Sequence, residues 1–247
     1  MFPSTPGADP EPRQHYLTRK RAAAEVLLCS GYPSQLAIVG LLNAVGISPM
    51  ENGALSPRFV FAVSGIDTAV LIGLVLTFLK LSNERPRDVL FGARRGAGEF
   101  GLGLLLVPAL FILVAGVQLT IRAVAPYLHN VPVNPFESFL SSPAMRAAFI
   151  TLVVIAGGIR EEVQRGFLLH RFEQRLGGAL VGLVATSVAF GLGHTLQGWD
   201  AALVTSVLGA FWAMVYVRRR SVIANVVSHS TFNVLQVLAG LSSVARS

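Results

Sequence analysis

The sequence predicts an all-α fold, a polytopic membrane helix bundle with about seven transmembrane helices. Three observations predict it. Apolar residues make up 53% of the chain and charged ones only 13%, whereas a soluble domain is roughly a quarter charged. Several apolar runs reach the roughly 20 residues that a helix needs to cross the hydrocarbon core. The basic residues gather at the ends of those runs and alternate between successive connections, as topology determinants do. The formal charge of +7 therefore points to membrane orientation. No basic face with interleaved aromatics marks a nucleic-acid partner.

Residues 1–19 are polar and contain Pro3, Pro6, Pro10 and Pro12. They lack the apolar core of a signal peptide, so a polar tail is expected, with the first span acting as its own insertion signal. Spans are predicted over 22–45, 58–81, 99–122, 144–170, 178–197, 200–217 and 221–242. Gly31, Pro33 and Asn43 interrupt the first, which predicts a kink or a partly interfacial course. Pro108 in the third is tolerable where neighbouring groups satisfy the freed backbone. Asp67, isolated in the second, is expected to make a structural hydrogen bond at a helix interface. The proline-rich 123–143 connection, with Pro126, Pro132, Pro135 and Pro143, predicts an ordered external loop without a regular helix.

Arg13, Arg19, Lys20 and Arg21 precede the first span, and Arg85, Arg87, Arg94 and Arg95 follow the second. Arg171 and Arg175 follow the fourth, and Arg218, Arg219 and Arg220 the sixth. The connections 46–57 and 123–143 are expected on the other side. The positive-inside rule then puts the N-terminus in the cytoplasm and the C-terminus outside. Cys29 is the sole cysteine, which excludes an internal disulfide and a Cys-rich metal site; it reads as a small buried apolar residue. No internal repeat supports an inverted-repeat transporter.

Three polar clusters interrupt the apolar segments: Arg160-Glu161-Glu162-Val163-Gln164-Arg165, Phe190-Gly191-Leu192-Gly193-His194, and His229-Ser230-Thr231-Phe232-Asn233. A carboxylate in lipid costs roughly 2.5–3.5 kcal/mol on insertion scales, so such groups face a protein interior or a watery cavity. Glu161 lies about 15 Å from the Arg171 anchor, His229 about 13 Å from Arg220, and His194 about 24 Å into span five. The three are expected to meet in one cavity, His194 fitting least well. Glu161 and Arg165, four apart, share a helix face and predict an ion pair; Glu162 lies about 100° round the helix. Gly166-Phe167-Leu168-Leu169 restores apolar character after the cluster, which favours immersion over a solvated helix end. Asn225, His229 and Asn233 recur every four residues as one polar stripe. Gly191 and Gly193 leave room beside His194 for another backbone or a substrate.

These groups suit peptide hydrolysis. A carboxylate in an apolar pocket is a good base for water near neutral pH. Two routes to charge stabilisation stay open. His194 and His229 offer ligands to one divalent metal, zinc being the natural case, or a histidine and the Asn233 amide donate to the developing oxyanion. The His-Glu-x-x-His signature of soluble zinc proteases is absent. The competing class is a non-catalytic membrane protein, a regulator, immunity factor or transporter component, that uses the same polar residues for packing.

The clusters resemble the CPBP family of intramembrane proteases, which includes CAAX prenyl endopeptidases and bacteriocin-processing or immunity relatives. The family pattern is Glu-Glu-x-x-x-Arg, Phe-x-x-x-His and His-x-x-x-Asn; Phe190 with His194 and His229 with Asn233 match, and Arg165-Gly166-Phe167-Leu168-Leu169 is similar to the stretch after the first motif. The resemblance covers about 144–240. It implies a catalytic core over 144–242, behind N-terminal membrane helices over 20–143. Its implied site is Glu161, Glu162, His194, His229 and Asn233, supported by Arg165 and Phe190. It implies endopeptidase cleavage of a membrane-embedded or lipid-anchored peptide, among membrane lipids, by an integral protein of the bacterial plasma (inner) membrane. Glu161-Glu162-x-x-Arg165 is one residue shorter than the family spacing. Aligned on Arg165, Arg160 takes the catalytic position; aligned on the acids, Glu161 is the base and Glu162 the reserve. A helix bulge would reconcile the two.

Overall fold

The computed structural model describes residues 17–93, 96–133 and 135–244, apart from the side chains at 137, 138 and 240–244. The polar stretch through residue 16, which includes Arg13, and the basic pair Arg94 and Arg95 lie outside the described residues. Among the described residues four helices are long and apolar enough to cross a membrane: α3 (Pro57–Leu81), α5 (Gly96–Val124), the composite Pro143–Arg175 and α9 (Trp199–Arg219). A bent pair, α1 (Arg19–Leu28) and α2 (Tyr32–Ala44), makes a fifth when taken as one span. The chain is an all-α integral membrane protein. The expected count of seven is met only in part, because the fifth predicted span is a helix of 15 residues, α8 (Gly178–Leu192). The last predicted span, α10 (Ile223–Val244), is not among the four. The short α4 (Pro86–Leu90) follows α3.

The break in the first span falls where its sequence predicts. The two helices meet at 40°, around Gly31 at φ +90° with Pro33 at the start of α2. The 46–57 connection holds a two-residue hairpin, β1 (Met50–Glu51) and β2 (Ala54–Leu55), paired Met50 to Leu55 and Glu51 to Ala54. Asn52 and Gly53 both take positive φ there, as a tight primed turn requires. The 123–143 connection is ordered over its described residues. It has 3₁₀ turns at Pro126–Leu128 and Glu137–Leu140, and Phe139 is fully buried against Phe136 and Phe149. Hydrogen bonds from this loop to the start of α9 fasten it, His129 Nδ1 to Asp200 at 2.7 Å and Trp199 N to Asn130 Oδ1 at 2.9 Å.

The composite span has three parts: α6 (Pro143–Leu152), a π-helical stretch Val153–Arg160, and α7 (Glu161–Arg175). It packs on α1, α3, α8 and α10. The span runs five residues past its predicted end. Arg171 is therefore no surface anchor but fully buried. Its guanidinium donates to Glu25 Oε2 on α1 at 2.6 Å and Glu84 Oε2 at 2.5 Å. It also reaches Ser82 Oγ and the Phe78 carbonyl at the end of α3. One cation thus joins α1, α3 and α7, the kind of complete pairing that a buried charge needs.

Two outcomes follow for stability. A Cβ on Gly191 would lie 2.4 Å from the Ala202 carbonyl oxygen and 1.8 Å from Ser206 Oγ, whereas one on Gly40 would meet nothing within 4 Å. Gly191→Ala should lower the melting temperature of the detergent-solubilised protein through overpacking worth about 1–3 kcal/mol. Gly40→Ala, in mid-helix, should raise stability by about 0.5–1 kcal/mol. The second outcome concerns Glu84, between α3 and α4. Burial pushes its carboxyl up, but hydrogen bonds from His170, Arg171 and Gln174 and the Arg171 charge outweigh it and hold the pKa at about 2, against an ordinary 4.5. A carboxyl depressed in the fold contributes stability that is present above its unfolded pKa and lost as pH falls through the folded one. Melting temperature should therefore drop between pH 4.5 and pH 2, and Glu84→Gln should flatten that part of the profile.

Candidate active site

The π-helical stretch ends at the residue before Glu161, and from Glu161 through Arg165 the helix is regular. The wide turn therefore does not lengthen the acid-to-arginine interval that the family spacing would extend. It shapes the approach instead. Gly157 and Gly158 lie in it, and a Cβ on Gly158 would fall 1.9 Å from Ser230 Oγ of α10. The missing side chain lets α10 sit against the π-helical backbone, which brings His229 and Asn233 to the level of Glu161.

The two acids part company at that point. Glu162 is fully buried, whereas the Glu161 side chain is 14% exposed. The expected Glu161–Arg165 pair does not form: Arg165 pairs with Glu162, three residues away. The reason is tertiary, since Glu162 points at α10, and the Arg165 guanidinium lies over the Phe190 and Trp212 rings, 4.6 and 5.5 Å from their centroids. Glu162 also accepts from Asn225 Nδ2 at 3.0 Å and from His229 Nδ1 at 2.8 Å. Asn225 Nδ2 donates in turn to the Trp212 carbonyl at 2.8 Å.

A carboxylate only accepts hydrogen bonds. The bond to Glu162 therefore fixes the proton of His229 on Nδ1 and turns Nε2 outward, to 3.8 Å from Glu161 Oε2. The Trp212 ring stacks on the imidazole at 3.8 Å between centroids and 18° between planes, which holds the ring against rotation. His194 is constrained in the same way. Its Nδ1 lies 2.8 Å from the Phe190 carbonyl, another pure acceptor, so Nε2 is its free nitrogen. The helix predicted to continue to residue 197 stops at Leu192, and His194 sits just past its end, before a 3₁₀ turn at Thr195–Gln197. The Phe190 ring lies edge-on to both imidazoles, at 4.8 Å from His194 and 6.2 Å from His229.

Glu161, His194, His229 and Asn233 all line one cavity of about 570 Å³, together with Arg160, Phe190 and Trp212. Glu162 and Arg165 stand behind its wall. Sequence reasoning placed the acid, imidazole and amide groups together but missed the contributions of Trp212 and Arg160. Trp212 gave no signal beyond an aromatic residue in an apolar span. Arg160 entered only through the alignment, yet its Nη2 lies 3.7 Å from Glu161 Oε1 and 3.6 Å from Asp67 Oδ2. Asp67 is buried and accepts from Ser34 Oγ at 2.8 Å and Gln35 Nε2 at 3.3 Å, so the expected structural hydrogen bond of span two reaches the site through Arg160.

Among the described residues no three His, Cys, Asp or Glu side chains are grouped as an ion would need. The imidazoles of His194 and His229, each oriented through Nδ1 as metal-binding histidines are, do not make such a group with Glu161.

Neither the curated proteins nor the solved structures yield a match to this chain. Residues 143–235 match the family model of the Rce1-like type II CAAX prenyl endopeptidases. That segment contains both acids, both imidazoles and Asn233, and over those residues the chain is similar to the CPBP/CAAX protease family, which the match supports.

Proposed function

We propose that this protein is an intramembrane endopeptidase that hydrolyses a peptide bond of a membrane-associated substrate, with Glu161 as the base. The observation that carries the reading is the pair of free acceptors, Glu161 Oε2 and His229 Nε2, 3.8 Å apart on the cavity wall. A water molecule touching both gives a hydrogen to each, and its remaining lone pairs face the cavity. Glu161 takes the proton as the water oxygen adds to the peptide carbonyl carbon. Asn233 donates to the oxygen that gains charge. Nε2 of His194, an acceptor in the neutral ring, orients the substrate N–H. As the C–N bond breaks, the proton held by Glu161 passes to the departing nitrogen, leaving one new carboxylate and one new amine. Glu162 keeps His229 in the required tautomer, as a buried acid does behind a catalytic imidazole. No step is routed through a metal.

We further propose seven membrane passages, with α1–α2 as one and α8 and α10 as two more, and the arginine-bearing ends of the bundle on the cytoplasmic side. This is the orientation in a bacterial plasma membrane that the positive-inside rule gives. The family description names CAAX prenyl peptides as substrates of its members; for this chain the substrate proposed is a membrane-associated peptide.

The test is cleavage of membrane-anchored peptides, prenylated CAAX sequences among them, by protein reconstituted in liposomes. Hydrolysis should place oxygen from isotopically labelled water in the new carboxylate. Glu161→Gln should lower kcat by about 10²–10⁴ while leaving insertion and melting temperature intact. Asn233→Ala should cost about 10²–10³. Glu162→Gln should behave differently, because it strands the buried Arg165 charge: stability should fall by about 3–5 kcal/mol, measured as a lower melting temperature. Cleavage that persists unchanged in Glu161→Gln ends the assignment of the base. A wild-type protein that cleaves nothing across such a panel returns the chain to the non-catalytic class.

A further inference from the structure

On α3, α7, α9 and α10 the cavity and the main core cluster take opposite ends of the helix, while a second cluster that includes Leu110, Val114 and Ile121 of α5 packs beside the cavity. On α3, Val60 and Ser64 line the cavity, whereas Val75 and Leu79 belong to the main core cluster. On α9, Ala201, Thr205 and Trp212 line it, and Ala213 and Tyr216 belong to the core. On α7, Glu161 faces the cavity and Phe167, Leu168 and Leu169 lie in the core. On α10, the cavity takes His229 to Ala239, and the core cluster holds Val222 just before the helix.

The core half is the arginine-bearing half. It ends at Arg175, at Arg218–Arg220 and at the buried Arg171 knot, and Cys29, Val75, Leu79, Phe167 and Leu169 are fully buried in it. The cavity half ends at connections without Lys or Arg: the 123–143 loop sends in Phe136 and Leu140, and the α8–α9 link sends in Gln197. The cavity is thus floored by Arg160, Glu161, Trp212 and His229 and extends away from Arg171, Arg175 and Arg218–Arg220, toward the end where Arg58, Arg122 and Arg146 are the described arginines.

We infer that the substrate reaches Glu161 from the arginine-poor end of the bundle, which in the proposed orientation is the extracytoplasmic side, as an extended, uncharged peptide segment. The inference rests on the hydrolase reading for its chemistry and on the cavity alone for its direction. The chemistry of the walls selects the segment. Apart from Arg160 and Glu161 at the floor, no Lys, Arg, Asp or Glu side chain lines the cavity among the described residues. The outer wall carries Gln118, Gln197 and Gln236, whose amides both donate and accept and so match a peptide backbone. A charged headgroup would find no partner on the way in. The volume of about 570 Å³ lies in the usual range of small-ligand sites, roughly 300–1,000 Å³, so a short segment enters and a folded domain does not.

The experiment is sided cysteine labelling with a membrane-impermeant thiol reagent, on intact cells and on inverted vesicles. The native Cys29 is buried and serves as the silent background. Val133→Cys marks the loop end and Arg218→Cys the arginine end. Ala201→Cys and Thr205→Cys report the cavity wall. Both wall variants should label in intact cells together with Val133→Cys, with labelling lost from Arg218→Cys, which should react only in inverted vesicles. Wall cysteines that react only alongside Arg218→Cys, or from neither face, overturn the inference. None of these readouts needs turnover, so they fail separately from the hydrolase reading. Once Glu161-dependent cleavage is measured, a bulky label on Ala201→Cys should abolish it; undiminished cleavage also overturns the route.

Discussion

A fully buried carboxylate, Glu162, sets the arrangement of everything around it. Its two oxygens receive the Arg165 guanidinium, the Asn225 amide and the His229 imidazole, and no oxygen is left to water. Burying a charge costs several kcal/mol unless geometry and hydrogen bonding compensate, and inside a bilayer there is no solvent to fall back on. Each compensating partner brings a helix with it. Arg165 comes from the same helix, Asn225 and His229 from α10, and α9 is bound in through the Trp212 carbonyl and the Trp212 ring. Three helices are therefore held in register by one acid. The outward direction of His229 Nε2 is a by-product of that compensation.

The neighbouring Glu161 shows how one step along a helix separates two chemistries. A turn of about 100° per residue takes Glu161 out of the compensated core and onto the cavity wall, where Arg160 and His229 approach it without closing a short hydrogen bond. Two adjacent carboxylates are thus divided by environment into one enclosed by its partners and one facing the cavity. Asp67 extends this to the N-terminal helices. By holding Arg160 from α3 at 3.6 Å, it draws a guanidinium partly away from Glu161. The family match covers only 143–235, yet the electrostatics of the acid depend on a residue well before it.

Hydropathy made the all-α character and the four long spans legible, and the clustering of acids, imidazoles and an amide pointed to groups that line one cavity. What sequence could not carry was rotational and tertiary detail. Whether Arg165 meets Glu161 or Glu162 depends on which acid points at α10, and that is decided by Asn225 and His229, more than sixty residues away. The end of α8 was missed because no proline or charged residue marks a stop between Leu192 and Gln197. The Asn52-Gly53 turn, in contrast, carried a readable hairpin signal. The π-helical stretch was invisible because its cause lies outside itself: Gly157 and Gly158 are permissive, and the wide turn appears only where α10 presses its Ser230 and Asn233 against them.

The division of the bundle into a dry half and a hollow half answers a difficulty that any water-using site in a membrane faces. A cavity open at both ends would leak, and one closed at both ends would exclude substrate. In the proposed orientation the closed end carries Arg171, Arg175 and Arg218–Arg220. Arg171, buried among Glu25, Glu84 and Ser82, needs tightly packed surroundings to keep its pairings, and the aliphatic core next to it supplies them. Beyond Arg160 and Glu161 the cavity wall carries no charge among the described residues, and its glutamine, serine and threonine side chains can meet a guest without counter-charges. On the proposed route, the acid at the floor would meet water through the same channel that admits the substrate.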